Sequence, residues 1–251
     1  MGVSMATAGL WVERWERQQQ RYAVDREERF TVIADVIDHV TAGRSTPLIV
    51  DLGCGPGSLA ARLAARLPHA DIVAVDMDPL LLELGRARHA DAARFVDTVI
   101  GEDGWTAALG VDRPLDAAVS TTALHYLAKP VLRRTYRELA ALLRPGGALI
   151  NGDHLPLDDE PFTELVAHVG RRRAERSRAH RHEDWASWWA AAARDPELAD
   201  LFRERSRRLS TGGNDNRLTL SRHVALLRQA GFAHVSSVWQ FGESHVLVAI
   251  R

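Results

Sequence analysis

Three glycines spaced two apart, Gly53, Gly55 and Gly57, follow a short apolar run that ends in Asp51. Glycine reaches backbone conformations closed to other residues and leaves bare backbone on which a ligand can lie. Pro47 to Asp51, with Leu48, Ile49 and Val50 at its centre, reads as a buried parallel strand. From Ser58 to Leu67 the chain is alanine-rich, with Leu59, Leu63 and Leu67 at helical spacing. Strand, glycine turn and helix together describe a nucleotide-type site at the carboxyl edge of a parallel sheet. The spacing argues against two phosphate chemistries. A dinucleotide fingerprint sets its second and third glycines further apart, and no Gly-Lys-Ser/Thr ending supplies a P-loop. Asp51 would also repel a pyrophosphate, whereas it suits a ligand carrying an ammonium and a sulfonium. The competing reading of the loop is a tight strand-to-helix turn without a ligand.

A second acid follows at ribose distance. Asp71 to Asp76 is another short apolar strand, ending in an acid about twenty residues after the loop, where a carboxylate can accept both ribose hydroxyls. Asp78 before Pro79 caps the leucine-rich helix that follows, which leaves Asp76 free for the ribose.

Taken in order, VDLGCGPG (Val50 to Gly57), VAVDMDP (Val73 to Pro79), LDAAVSTTALHYL (Leu115 to Leu127) and LLRPGGALINGDH (Leu142 to His154) resemble the class I S-adenosylmethionine-dependent methyltransferases. The resemblance covers roughly residues 20 to 154. It implies a doubly wound, seven-stranded, mostly parallel α/β sheet of the Rossmann-like methyltransferase fold. It also implies S-adenosylmethionine as cofactor and S-adenosylhomocysteine as product. Asp51 and the backbone of Gly53, Cys54 and Gly55 would lie by the methionine part, Asp76 on the ribose and Met77 against the adenine. Ser120 and Thr121, at the end of the fourth strand, would sit beside the sulfonium. One position departs from the pattern: Val99 stands where related sequences carry an acid near the adenine amino group. Ile100 follows as the residue whose N–H binds the ring. Glu102 or Asp103 could substitute for the acid, or the contact is through backbone alone. Trp105 either covers the adenine or packs in the core.

Methyl transfer is an in-line displacement, so positioning supplies much of the acceleration, and a base is needed only where the acceptor must lose a proton. His125 after the fourth strand and His154 after the fifth are the candidate bases, with Asp153 beside the second as a substrate contact. Both strand ends face the ligand crevice of a doubly wound sheet. His125 also has a structural reading, because Ala-Leu-His-Tyr-Leu recurs in the resembling family with many acceptors.

The flanking elements must position this set. Residues 10 to 42 read as helical, with Trp11, Trp15, Tyr22, Phe30, Ile33 and Ile37 on an apolar face. In the resembling family such a segment is a lid, and Tyr22 would touch the cofactor; packing on the domain surface is the alternative. Residues 1–45 are thus expected as a helical lid, 46–154 as the cofactor-binding core and 155–216 as an inserted helical lobe. Residues 217–251 are expected as the helix and strands that complete the sheet. The run Gly212 to Asn216 would turn the chain back into the core. In the lobe, the run Arg171, Arg172, Arg173, Arg176, Arg178 and Arg181 could hold an anionic substrate or RNA, or form a solvated helix face. Arg172 is the substrate candidate from this run. Trp185, Trp188 and Trp189 share one helical face, and Trp185 and Trp189 could wall a substrate pocket or dock the lobe.

A formal net charge of −1 gives no global field for nucleic acid, and the arginine run lacks interleaved aromatics for base stacking. The single cysteine, Cys54, excludes an internal disulfide and fits a reducing compartment. No apolar run is long enough to span a membrane, and Ala6 fails the myristoylation pattern at Gly2. A cytoplasmic enzyme acting on a small-molecule acceptor is the expectation, with no metal site, no membrane partner and a homodimer left open. The rival readings are a tRNA or rRNA methyltransferase and a catalytically silent cofactor-binding protein.

Overall fold

The computed structural model describes residues 2–209 and 215–251. Of the turn read over Gly212 to Asn216, Gly212, Gly213 and Asn214 lie outside the described residues, while the Asn216 N–H donates to the His125 carbonyl at 2.8 Å. In chain order the elements are α1 (Met5–Gln19), α2 (Arg26–Val40), β1 (Leu48–Leu52), α3 (Ser58–Arg66), β2 (Asp71–Asp76), α4 (Pro79–Arg88), β3 (Arg94–Asp97), α5 (Trp105–Ala108) and β4 (Leu115–Thr121). They continue with α6 (Lys129–Leu142), β5 (Leu143–His154), α7 (Glu160–Arg176), α8 (Trp185–Ala192), α9 (Ala199–Arg208), α10 (Leu220–Gln229), β6 (His234–Phe241) and β7 (Ser244–Ile250).

One seven-stranded sheet has the order β3-β2-β1-β4-β5-β7-β6. All its pairings are parallel except those of β7, which runs antiparallel to both β5 and β6. Strand order reverses between β1 and β4, the place where open α/β sheets bind ligands beyond their carboxyl ends. The register there sets Leu52 opposite Ser120 and Thr121 opposite Gly152.

Alternation along the strands builds a core on each face. On one side Leu48, Val50 and Leu52 pack with Trp105, Leu132, Tyr136, Leu139 and Leu227. On the other, Ile49, Ala74, Val119 and Ile150 pack with Phe30, Ile33 and Ile37 of α2 and with Leu59 and Leu63 of α3. The helical segment expected over 10–42 is two helices with different jobs. The apolar residues of α2 lie on the sheet, while Trp11 and Trp15 of α1 lie elsewhere, so no straight helix could bury both sets. Glu16 and Arg26 form an ion pair across the break.

A third cluster collects Ala8, Trp11, Val12 and Trp15 of α1, Leu80, Leu81 and Leu84 of α4, Trp188 and Ala192 of α8, and Leu198. Trp15 lies against Trp185, Trp188 and Trp189, with ring centroids 5.3, 5.1 and 6.4 Å away. The Trp11 indole N–H donates to Asp195 at 2.7 Å. The N-terminal helix and the helices after β5 thus share one small core. Truncating Trp15 to Ala should cost about 3–5 kcal/mol, the usual penalty for emptying a buried tryptophan site. Thermal unfolding and limited proteolysis between α7 and α9 would read this, and an unchanged melting curve would show that Trp15 does not hold the two segments together.

Candidate active site

The glycine loop is built by positive φ angles of 68° at Gly53, 54° at Gly55 and 83° at Gly57. Glycine at position 53 is also required by space, since a methyl group there would come within 2.3 Å of the Ala123 Cβ. The loop's amides are spent inside the protein. Gly53 and Cys54 both donate to the Val75 carbonyl at 2.8 and 2.9 Å, and Gly57 donates to the Cys54 carbonyl at 3.0 Å. Gly55 donates to Asp76 Oδ2 at 2.8 Å, and Pro56 has no N–H. A phosphate site needs free amides aimed at the anion. This loop offers none between positions 53 and 57, and two carboxylates front it.

Asp51 is 1% exposed and its Oδ2 has no hydrogen-bond partner. Burial pushes its carboxyl up to about 7, with the Asp76 charge adding and the Ala60 N–H opposing. A buried acid left in this state fits a cationic ligand, which would both pair the orphaned oxygen and hold the group ionised. Asp76 is raised as well, because burial outweighs the backbone N–H groups it accepts. Its Oδ1 accepts from Met77 and Asp78 at 2.8 and 3.0 Å, besides the Gly55 bond to Oδ2. The sequence reading that Asp76 is free is corrected here: the carboxylate braces the loop. A carboxylate has about four acceptor positions, so a ribose hydroxyl would add to this bracing. Asp78 does cap α4, accepting from Leu80 and Leu81 at 3.0 and 3.3 Å.

Across the sheet reversal, the 3-10 turn Leu124–Tyr126 after β4 places His125 against Asp153 of β5. The His125 Nδ1 lies 2.9 Å from Asp153 Oδ1 and 3.1 Å from Oδ2. Asp153 is fully buried and also accepts from the His154 N–H at 2.9 Å. Burial opposes a charged imidazole at His125, yet the hydrogen bond and charge of Asp153 outweigh it and hold its pKa above the ordinary histidine value. At Asp153, burial is outweighed by the same bond, and the carboxyl sits below its ordinary value. With Asp153 ionised the shared proton resides on Nδ1, leaving Nε2 as an acceptor. Asp153 therefore positions His125 and does not itself face a substrate.

A family model described as a methyltransferase domain matches residues 49–147. A trans-aconitate 2-methyltransferase of Methylobacterium radiotolerans is 32% identical over 180 residues, covering 71% of this chain and 59% of that protein. The like-named protein of Methylobacterium nodulans is 30% identical over 190 residues, covering 71% of this chain and 68% of that protein. The chain belongs to the class I S-adenosylmethionine-dependent methyltransferases. Among solved structures, the magnesium protoporphyrin IX methyltransferase of Synechocystis, with S-adenosylhomocysteine bound, superposes with a TM-score of 0.57 at 16% identity. That match covers 96% of this chain and 94% of the other, and it shows the same fold.

In this methyltransferase the remaining site residues fall into distinct places. The Ser120 hydroxyl donates to the Leu52 carbonyl at 2.9 Å and is fully buried, so it joins β4 to β1. Thr121 lies half-buried at the strand end, and Met77 is exposed beside Asp76. Cys54 is buried with its thiol raised by burial and by Asp76 and Asp51, a poor state for a nucleophile. Ile100 packs on the core rim. Trp105 does not cover a ligand: it is 1% exposed in the core, and its N–H donates to Glu138 at 2.6 Å. The Tyr22 hydroxyl accepts from the backbone N–H of Trp185 at 2.8 Å, linking the chain after α1 to the start of α8. Trp185 and Trp189 meet Trp15, which answers their docking reading directly. Arg172 pairs with Glu175 on the exposed α7. His154 lies at the end of β5, with its pKa lowered first by desolvation of the ring and then by the Arg29 charge.

Three features escaped the sequence reading. His125 and Asp153 are 28 residues apart and are paired by the tertiary fold. Thr122, next to them, has a positive φ of 50°, a strained state for a β-branched residue and a mark of functional turns. Arg205 of α9 donates to Asp78 Oδ2 at 2.6 Å while lying over the Trp189 ring at 4.0 Å, so the helices after β5 are tied to the start of α4. Among the described residues no group of three or more His, Cys, Asp or Glu could hold a metal, and no helix is long and apolar enough to cross a membrane.

Proposed function

We propose that this chain transfers the methyl group of S-adenosylmethionine to a small-molecule acceptor whose proton is taken by His125. The observation that carries the reading is the His125–Asp153 pair, set across the sheet reversal from the glycine loop. When bound, S-adenosylmethionine supplies a methyl carbon activated by its sulfonium. Asp51, Gly53, Cys54, Gly55, Asp76, Met77 and Ile100 would hold it, with Ser120 and Thr121 shaping the strand end beside it. His125 Nε2 would accept the acceptor's proton, and Asp153 would fix the ring and steady its positive charge. His154, exposed at the same edge, would contact the acceptor from the other side of β5. The shared tryptophan core supports a cap over the strand ends, made from α1, α8 and α9, that excludes water.

The Methylobacterium relatives are named for trans-aconitate, a small molecule, which agrees with a low-molecular-weight acceptor here. RNA methylation through the arginine run gains no support: Arg172 is paired with Glu175 and Arg173 with Asp25. The test is calorimetric titration with S-adenosylmethionine, S-adenosylhomocysteine and NADH, followed by labelled methyl transfer into a small-metabolite extract. Dissociation constants for the two sulfur ligands on the order of micromolar are expected, with no NADH binding and with label in the low-molecular-weight fraction. Absence of sulfur-ligand binding would overturn the cofactor assignment. Tight binding with no label transferred would return the chain to the silent cofactor-binding class.

A further inference from the structure

His125 is carried on a short turn between β4 and α6, not on a strand or a long helix, so its aim depends on what holds that turn. The chain enters the turn strained, with Thr122 at a φ of 50° and its N–H donating to the Gly152 carbonyl at 3.0 Å. Ala123 then sits against Gly53 of the glycine loop, where a methyl group on the glycine would lie 2.3 Å from the Ala123 Cβ. The imidazole follows, on Asp153. Backbone strain of this kind persists only where the surroundings fix it.

Much of that fixing comes from one residue in the segment before α10. The Asn216 backbone N–H donates to the His125 carbonyl at 2.8 Å. Its side-chain amide donates to the Leu124 carbonyl at 3.2 Å and to the Leu127 carbonyl at 2.9 Å, which lie 92 and 89 residues away in sequence. The amide is itself oriented, because its Oδ1 accepts from the Leu218 N–H at 3.0 Å. Asp215 Oδ1 accepts from the Arg217 N–H at 2.9 Å in the same way, and Arg217 has a φ of 47°. These two successive side-chain turns present Asn216 to the histidine turn in one orientation. An asparagine amide offers two donors and an acceptor in one plane, and here both kinds of group are used.

We infer that Asn216 is a positioning residue of this site: it fixes the turn so that His125 keeps Nδ1 on Asp153 and aims Nε2 at the acceptor. The inference rests on the reading of His125 as the base. The bonds of Asn216 run to the turn and to its own segment, so its effect on the reaction passes through His125. Proton acceptance needs the ring within hydrogen-bond reach of the acceptor, and a misplacement of about 1 Å can cost on the order of a hundredfold in rate. Asp153 fixes the ring's tautomer, while Asn216 fixes the backbone from which the ring projects.

The experiment compares the full chain with Asn216→Ala and Asn216→Asp. The aspartate keeps the shape, the backbone bond and the acceptor for Leu218, and loses only the two side-chain donors. The first arm follows the His125 ring nitrogens by NMR at a pH where the ring is neutral. The wild type should hold its proton on Nδ1, and both variants should show a mixture of tautomers as the ring drifts from Asp153. The second arm measures labelled methyl transfer into a small-metabolite extract at saturating S-adenosylmethionine. Each variant should slow transfer about tenfold to a hundredfold, with S-adenosylhomocysteine affinity unchanged. In a His125→Ala background the same substitutions should change the rate by less than about twofold, since groups that act through one another are not additive. Equal losses in both backgrounds, an unchanged tautomer in both variants, or loss of folding in both would make Asn216 an ordinary loop tie and overturn the inference. The ring measurement needs no acceptor. Failure of the methyl-transfer reading would instead appear as absent label in the wild type, and the tautomer alone would then decide whether Asn216 positions the ring.

Discussion

Replacing His125 by Ala should lower turnover about a hundredfold to ten-thousandfold, the usual contribution of a positioned general base, with little change in S-adenosylhomocysteine affinity. The imidazole is held at the carboxyl ends of β4 and β5, and its Nδ1 is occupied by a fully buried carboxylate. Asp153→Asn should lower turnover too, since an amide can hold the ring in the wrong tautomer and gives no charge support. The pH dependence separates this role from a packing role. A base must be neutral, and Asp153 raises the His125 pKa above its ordinary value despite burial. The rate should therefore fall as pH drops through that raised pKa, and in Asp153→Asn the fall should move to lower pH. Stability follows the same pair with opposite signs. The raised His125 contributes stability fully below its unfolded pKa of about 6.5, and loses it as pH rises through the folded value. The depressed Asp153 contributes above its unfolded pKa of about 3.9, and loses it as pH falls through its folded value. The pair therefore stabilises the fold most between about pH 4 and pH 6.5. A pH–rate profile that is the same in wild type and Asp153→Asn would remove the pair from catalysis.

Asp51→Asn should stabilise the ligand-free protein at pH 8 while weakening S-adenosylmethionine binding at least about tenfold. The carboxyl is pushed up to about 7 by burial and by Asp76, against an unfolded value near 3.9. Between those pH values the folded chain keeps a proton that the unfolded chain releases, so stability falls as pH rises from about 4 to about 7. Above that range the ionised, unpartnered carboxylate costs on the order of a few kcal/mol, which the amide removes. A cation in the site would reverse the balance by pairing with Asp51 Oδ2. Wild-type affinity for S-adenosylmethionine should therefore weaken as pH falls below about 7, because the carboxyl must shed a proton on binding. The variant should show no such slope. Calorimetry at pH 6 and pH 8 in two buffers of different ionisation enthalpy would count the proton; equal affinity in both proteins would place the cofactor's charge away from Asp51.

Much of the architecture was legible in short stretches of sequence, because backbone preferences are local. Gly53, Gly55 and Gly57 announced positive φ angles, short continuous apolar runs marked β1 and β2, and Asp78-Pro79 started α4. The seven-stranded sheet was implied by the family resemblance that these motifs carry. Side-chain partnerships were legible only as candidates. Asp76 looked free because its local alternative, the helix cap, was already filled by Asp78, yet folding brought the Gly55 N–H to it from 21 residues away. Trp105 looked able to cover an adenine until the core placed it against Glu138. The helical run over 10–42 broke into two because Trp15 and Phe30 are drawn to different cores. The meeting of His125 with Asp153 was decided by which strand ends lie side by side. Local sequence sets which conformations the backbone prefers. Which buried charges meet, and which stay unpaired, depends on long-range packing that no local pattern encodes.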